Sequence, residues 1–208
     1  MLKRRNNEQG LTMIELMIVV GLGLIIMGMA IGGAPAMLKT SRADGGLAEL
    51  ASAVRAGREA AISNRRNVQL AFGTNTISLT RVEYCPSTCT TGGSGTWSTY
   101  SGCTSTCTAQ TTALRTVTLE GRTEFRVISG MADTPDSFGN STATSLGSSL
   151  PAMFTTDGSF INQNGDVLNG SLFIAIPGES ISARAITIFG PTGMLHLWKW
   201  NGRAWVEA

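Results

Sequence analysis

Glu15 is the first residue in this sequence whose chemistry needs an explanation. It is the only ionisable residue from Leu11 to Ile31. A helix over those 21 residues would be about 31 Å long, enough to cross the hydrocarbon core of a bilayer. A charge at mid-membrane costs about 2.5–3.5 kcal/mol, so such a carboxylate predicts a function and a partner. A cut after Gly10 would supply that partner, because the new α-amino group of Leu11 would lie one helical turn from Glu15.

The amine and the carboxylate could pair within one chain or between neighbouring chains. Because each helix would supply both charges, this arrangement would favour the packing of many copies. Residues 10–20, GLTMIELMIVV, follow a basic leader and resemble the class III signal of type IV prepilins and type II secretion pseudopilins. Leu11 stands where the family usually has Phe, and Met13 where it usually has Leu. The resemblance implies cleavage after Gly10 and N-methylation of Leu11 by a prepilin peptidase. It also implies that Glu15 serves assembly with other pilins or pseudopilins in a filament.

The alternative is an ordinary signal anchor with a chance glutamate. A conventional secretory signal fits poorly, since no small-residue cleavage site ends a short apolar core. The basic residues 3–5 mark the cytoplasmic side of the membrane. This predicts a single-pass protein of the bacterial inner membrane with its C-terminal part in the periplasm. The protein would later be part of a pilus or pseudopilus. We therefore divide the chain into a leader (1–10), a transmembrane and filament-core helix (11–31), its amphipathic continuation (32–66) and a β-rich periplasmic domain (67–208).

Charge and motif content argue against other function classes. The leader holds three of the 16 basic and one of the 14 acidic residues, so the rest of the chain is formally neutral. A general nucleic-acid binder would need net positive charge. The single histidine, His196, lies in an alternating strand pattern, and neither a nucleophile motif nor a phosphate-binding loop accompanies it. We expect no enzymatic activity, no cofactor and no metal site.

The remaining pattern predicts an α+β fold, a long N-terminal helix packed on a C-terminal antiparallel β-sheet domain. Pro35, after a Gly-Gly pair, should kink or locally break the helix. The helix should end near Asn64, and the small residues on its apolar face predict close packing on a sheet. The positions at helical spacing are Leu47, Leu50, Val54, Gly57 and Ala61.

Alternating segments predict strands, with hairpins at 68–72/76–82 and 114–119/123–128 and further strands at 172–176, 184–189, 194–200 and 204–206. The helix segment Arg58-Glu59-Ala60-Ala61 resembles the GspH/FimT-like branch of pilins. So do the Phe154-x-x-x-Gly158 turn and the Arg184-x-Ile186 strand that is followed by Gly190. This resemblance implies the pilin architecture of a helical spine and a β domain.

Two insertions depart from that architecture. The first holds Cys85, Cys89, Cys103 and Cys107 in two Cys-x3-Cys pairs, a spacing that can indicate zinc. No other ligand type lies between them and the predicted compartment is oxidising, so we favour two disulfides in a loop at 85–107. Three pairings are open; the nested one, Cys85–Cys107 with Cys89–Cys103, would join both limbs of the loop, and its outer bridge would contribute about 3 kcal/mol.

The second insertion, 133–150, is rich in Ser, Thr and Gly and predicts a flexible surface loop. Further along, Asn162, Asn164 and Asp166 echo a calcium loop but lack its closing acidic ligand, so we predict a polar turn there.

Three functions remain. The chain is predicted to be a minor type IV pilin that helps to initiate or decorate pilus assembly. The alternatives are a minor pseudopilin of a type II secretion system and a DNA-uptake pilus component. The resemblance to FimT-like members implies DNA binding through a C-terminal Gly-Arg-x-Arg pattern, of which Gly202-Arg203-Ala204-Trp205 keeps the first arginine, with Lys199 nearby. The predicted partners are prepilin peptidase, other pilins, the inner membrane and, under the third hypothesis, DNA.

Overall fold

A computed structural model describes residues 12–82, 99–100, 107–108, 111–146, 151–162 and 165–208, without the side chains of 29–37, 99–100 and 107–108. The chain forms two compact units, Met1–Leu38 and Lys39–Ala208. Among these residues, one α-helix, α1, runs from Met13 to Asn64, and a short 3-10 helix covers Ser180–Ser182. The strands are β1 (Val68–Phe72), β2 (Thr76–Val82), β3 (Thr99–Tyr100), β4 (Cys107–Thr108), β5 (Thr111–Thr118), β6 (Glu124–Phe125), β7 (Thr144–Ser145), β8 (Ala152–Phe154), β9 (Phe160–Ile161), β10 (Gly170–Ala175), β11 (Arg184–Phe189), β12 (Met194–Trp200) and β13 (Trp205–Glu207).

Helix α1 ends where the sequence predicts, at Asn64. Arg65 takes a left-handed conformation (φ 51°) and donates its N–H to the Ile62 carbonyl, while Arg66 donates to the Ala61 carbonyl at 3.2 Å. These two bonds form a Schellman motif, which satisfies carbonyls left open by the end of the helix. A kink or local break was predicted at Pro35; a break is wrong, because α1 is continuous from Met13 to Asn64. Proline removes one amide donor, and here the helix continues on both sides of it.

The first sheet has the strand order β5-β2-β1-β8-β9 within the described residues, and its neighbours are antiparallel. The β1–β2 hairpin has the predicted bounds. The second half of α1 packs on this sheet through buried residues that include Leu50 and Val54. A Cβ added to Gly57 would lie 3.2 Å from Leu79 Cδ2, so the predicted close packing of a small helix face on a sheet is confirmed.

The second sheet has the order β13-β12-β11-β10-β6 in the described part of the chain, and β7 also pairs with β10. Strand β10 is buried along its whole length. Its Leu172 and Ile174 face the core shared with α1. Phe173, in contrast, packs with Val127, Ile128 and Met131 on the opposite face. Both faces of β10 are therefore covered, one of them by the segment after β6.

That cover extends into the second insertion: residues 133–146 lie largely at the surface, as predicted, but hydrogen bonds and the short strand β7 hold them against the second sheet. Leu146 is fully buried, and Thr134 is almost fully buried. The Asp133 carboxylate accepts the Gly139 N–H at 2.8 Å, and Trp205 Nε1 donates to the Ala132 carbonyl at 2.8 Å. Polar composition suggested a solvated loop, but its polar groups instead bond to one another and to the sheet. Residues 147–150 lie outside the described part.

The predicted hairpin at 114–119/123–128 is also wrong. Strand β5 pairs with β2, whereas Phe125 of β6 pairs with Ile174 of β10. Gly121 and Arg122 both have positive φ, and the Glu120 N–H is bound by the Glu49 carboxylate of α1 at 2.8 Å. The chain therefore passes from one sheet to the other at this turn. Alternation identifies strands, but it does not identify their partners.

Candidate functional site

The N-terminus of α1 is built around Thr12, the residue before the helix. Thr12 Oγ1 accepts the Glu15 N–H at 3.4 Å, and the Thr12 carbonyl accepts the Leu16 N–H at 3.1 Å. Thr12 is thus the N-cap, and the Thr-x-x-Glu spacing is that of a capping box. The Thr-x-x-Glu spacing is a direct signal for this helix start, which the sequence analysis overlooked in favour of the charge of Glu15.

The first part of α1, from Met13 to Met27, exposes an apolar surface. The large apolar side chains from Met13 to Met27 are exposed by 54–83%. Glu15 is exposed among them, and its carboxylate has no polar partner within the described residues, which exclude residues 1–11. An apolar surface of this extent indicates a contact with lipid or with other helices. Such a contact would have to supply both apolar area and a partner for one carboxylate.

Nowhere in the described part of the chain does a helix have an apolar stretch long enough to cross a membrane. The predicted span, 11–31, extends beyond the described side chains at both ends, at Leu11 and at residues 29–31.

Residues 5–31 match the family model of the prokaryotic N-terminal methylation motif. The chain carries a type IV prepilin-like signal. The match includes the predicted cleavage site, Gly10 and Leu11, which lies outside the described residues, and it includes Glu15. It does not reach the β domain, so it bears on the signal and not on the GspH/FimT-like branch. No curated protein and no solved structure matches the chain.

The predicted disulfide loop falls largely outside the described residues. Cys85, Cys89 and Cys103 are not described, and Cys107 is described only as the first backbone position of β4. Strand β4 pairs with β3 in antiparallel register, with Tyr100 opposite Cys107. The two disulfides and their nested pairing stay predictions.

Lys199, one of the two residues predicted to bind DNA, faces α1 in the structure. Its Nζ lies 3.5 Å from Asp44 Oδ1. The same carboxylate oxygen accepts Arg184 Nε at 2.9 Å. Arg184 is 2% exposed, and its Nη1 also donates to the Ile181 and Ala183 carbonyls at 3.0 and 2.9 Å. Asp44 thus ties α1 to neighbouring positions of β11 and β12, which are directly paired. Lys199 has a structural partner here, which lowers the charge it could offer to a phosphate.

Arg203, the other predicted DNA-binding residue, lies in the turn between β12 and β13. The Asn201 side chain accepts the Arg203 and Ala204 N–H groups, both at 2.9 Å, and Gly202 has φ 97°. These bonds fix the turn backbone, and the Arg203 side chain is exposed without a polar partner among the described residues. The turn therefore offers one free cation, and DNA binding stays a prediction.

His196 is a strand-face residue, as predicted, on the exposed side of β12. Its Nδ1 lies 3.0 Å from Asp136 Oδ2, and the same carboxylate accepts a short hydrogen bond from Thr187 Oγ1. Trp198 Nε1 donates to Thr187 Oγ1 at 3.0 Å. This array ties the segment covering the second sheet to β11 and β12. No local pattern predicts this array, because Asp136 is 60 residues from His196.

The calcium-like segment is a polar turn, as predicted. Asn162 Nδ2 donates to Asp166 Oδ2 at 3.2 Å, and the Asp166 N–H donates to Asn162 Oδ1 at 3.0 Å. Asn164 lies outside the described residues. No cluster of three or more His, Cys, Asp or Glu side chains that could hold a metal ion occurs among the described residues.

Asp157, in the turn between β8 and β9, has the most strongly perturbed acid group in the described chain. Hydrogen bonds from the Thr155 hydroxyl and then from the backbone and side chain of Ser159 together lower the pKa of Asp157 from 3.8 to about 2. The Asp157 carboxylate accepts the Ser159 N–H at 3.1 Å and its hydroxyl at 2.8 Å. These bonds stabilise a turn and leave no acid–base pair, so the group has a structural role.

Proposed function

We propose that this chain is a minor type IV pilin, a non-enzymatic filament subunit of the GspH/FimT-like branch that helps to initiate or decorate pilus assembly. Prepilin peptidase removes the leader after Gly10 and methylates Leu11. Residues 11–31 anchor the chain in the inner membrane, with the β domain in the periplasm, until α1 enters the filament.

The observation that carries the proposal is the methylation motif at residues 5–31 together with the exposed apolar surface that follows it. Cleavage after Gly10 would place the Leu11 amine about 6 Å along the helix axis from Glu15. A carboxylate that has no polar partner among the described residues would then meet a cation in the same apolar layer. Pairing offsets the cost of burying both charges, and each subunit supplies one of each.

Two variants separate the roles of the first turn. Glu15→Gln keeps the side-chain volume and removes the charge, so leader removal should continue while pilus assembly fails. Thr12→Ala is the matched control: it removes the cap, at about 1 kcal/mol of helix stability, and keeps the carboxylate. We expect Thr12→Ala to assemble pili. Loss of assembly in both variants would mean that the order of the first turn matters, and not the charge.

The deciding measurement is a count of surface pili on a clean deletion strain, repeated in a background that cannot retract pili. Loss of pili in the deletion, partly restored when retraction is blocked, is the expected result for a minor pilin that primes assembly. Intact mass of the purified protein should show leader loss and one added methyl group.

Normal pili on the deletion strain would contradict a role in initiating pilus assembly. The alternative is then a minor pseudopilin of a type II secretion system, for which the deletion should retain secreted proteins in the periplasm. DNA binding is a weaker alternative, because Lys199 pairs with Asp44 at 3.5 Å. An electrophoretic DNA-shift assay with Arg203→Ala tests it: salt-insensitive or absent binding would exclude that function.

A further inference from the structure

The exposed turn that joins β12 to β13 contains an Asn-Gly pair, Asn201 and Gly202. The side-chain oxygen of Asn201, Oδ1, accepts the N–H groups of Arg203 and Ala204, both at 2.9 Å. The Asn201 N–H donates to the Ala204 carbonyl at 3.1 Å, which closes the turn. These bonds hold the Asn201 side chain along the backbone that follows it, next to the peptide nitrogen of Gly202.

The Gly202 nitrogen is free to react with that side chain. Its N–H has no hydrogen-bond partner among the described residues. A Cβ added to Gly202 would have no atom within 4 Å, so the position is open to water. Its φ of 97° is one that glycine adopts readily. Neither a hydrogen bond nor a side chain has to be displaced before this nitrogen attacks.

We propose that Asn201 is a site of spontaneous deamidation, accelerated by the fold. The Gly202 nitrogen attacks Cγ of Asn201 and forms a C–N bond, and its proton passes to water. The Cγ–Nδ2 bond breaks, and Nδ2 takes up a proton and leaves as ammonia, which gives a five-membered succinimide. Water then opens the ring at either carbonyl and leaves aspartate or isoaspartate at position 201.

The acceleration comes from the two bonds to Oδ1. Negative charge develops on this oxygen when Cγ is attacked, and two backbone N–H groups are already directed at it. Donors aimed at a developing oxyanion lower the barrier, because hydrogen bonds to a charged acceptor are roughly twice as strong as those to a neutral one. The turn also keeps the attacking nitrogen and Cγ together. Ring closure should therefore be faster in the folded chain than in an open peptide.

The other Asn-Gly pair of which both residues are described, Asn169 and Gly170, lacks these features. Asn169 Oδ1 accepts the N–H of Gly190 at 2.8 Å, so this side chain is turned towards the end of β11 and away from its own following backbone. Gly170 is buried in β10, opposite Ile188, and a Cβ there would collide with Leu146. A succinimide has no room at this position, which makes Asn169 an internal control.

The product changes the charge of the turn. A carboxylate would stand two residues before Arg203, whose side chain is exposed without a polar partner in the described part of the chain. The chain beyond the leader is formally neutral and would gain one negative charge. An anionic partner that used Arg203 would then be bound less well as the protein ages. This inference is independent of the proposed function.

Incubation of the purified full chain in detergent at mildly alkaline pH, followed by tryptic digestion and mass spectrometry, tests the inference. Cleavage after Lys199 and Arg203 releases a four-residue peptide that reports on Asn201 alone. The reference is a synthetic peptide of residues 198–205 in the same detergent and buffer. Asn201 should be converted at least about threefold faster in the folded chain than in the peptide. Asn169 should stay intact over the same time.

Three results would each overturn the inference. The first is a rate in the folded chain less than about threefold above that of the peptide, because the turn would then give no assistance. The second is an undiminished rate when urea unfolds the chain. The third is conversion of Asn169 at the rate of Asn201, because the Asn-Gly sequence alone would then decide. Asn201→Gln would need a six-membered ring and should abolish the product, which aspartate and isoaspartate peptide standards identify.

Discussion

Replacing Asp44 with Ala should destabilise the β domain more than any other single change to its exposed carboxylates. Asp44 is itself 39% exposed, but it accepts a hydrogen bond from Arg184, which is 2% exposed. The substitution leaves that guanidinium with two backbone carbonyls and no counter-charge. It also leaves Arg184 beside Lys199, its direct partner across β11 and β12.

The expected cost is about 2 kcal/mol. A hydrogen bond to a charged group contributes about 1.5–3 kcal/mol, and breaking a fully buried ion pair costs about 3–5 kcal/mol. The exposure of Asp44 places this pair at the lower end, since solvent screens it. Asp44→Asn keeps an acceptor and should cost about 1 kcal/mol. Lys199→Met should cost less than about 0.5 kcal/mol and should partly rescue Asp44→Ala, because it removes a like charge.

Urea unfolding of the full chain in detergent, followed by tryptophan fluorescence, measures this. All four tryptophans lie after residue 96, so the signal reports the β domain. With a urea slope of about 2 kcal/mol/M, Asp44→Ala should lower the midpoint by about 1 M. A shift below about 0.25 M, or an equal shift for Lys199→Met, would refute the view that Asp44 serves chiefly to neutralise Arg184.

Three further predictions concern the packing and the turns of the same domain. Gly57→Leu should cost about 1–3 kcal/mol in the same urea assay, because its side chain would meet Leu79 in a packed interface. Asp136→Ala should cost about 1–2 kcal/mol and speed amide hydrogen exchange over 126–146, because the buried Thr187 hydroxyl loses its acceptor. The pKa of Asp157 is lowered to about 2, so its contribution is present above pH 4 and is lost as the pH falls towards 2. Asp157→Asn should therefore lower the stability at pH 6 but not at pH 2. The loss should be less than about 1 kcal/mol because the carboxylate is exposed. Urea midpoints at the two pH values measure the difference.

Local patterns predicted the elements well. The bounds of β1, β2, β11 and β12, the end of α1 and the packing of Gly57 on a sheet all follow from periodicity and turn residues. Each of these features depends on residues close together in sequence. The prepilin-like signal is likewise a local pattern, and the match at residues 5–31 confirms it.

Features that depend on distant residues could not be predicted in this way. The partner of β6 is β10, which lies nearly 50 residues further on, and the alternation of β6 is the same whichever strand it pairs with. Residues 133–146 have the composition of a solvated loop, and only their pairing with β10 and the contact of Asp136 with Thr187 make them ordered. Lys199 was singled out for its charge, but the charge is explained by Asp44, 155 residues earlier.

The two halves of α1 differ in where their apolar side chains find contacts, and this difference supports the proposed function best. From Leu47 to Ala61 the apolar residues are buried against the protein's own sheets, and Asp44 and Glu49 bond to strands or turns of the same domain. From Met13 to Met27 the apolar residues remain exposed, although this N-terminal segment is more apolar than the segment from Leu47 to Ala61. Burial of each such side chain would contribute about 1.5–3 kcal/mol, so a helix would not keep this surface in water when a partner is at hand. Under the proposed function, lipid or neighbouring subunits supply that contact, and the partner of Glu15 lies in the same apolar layer.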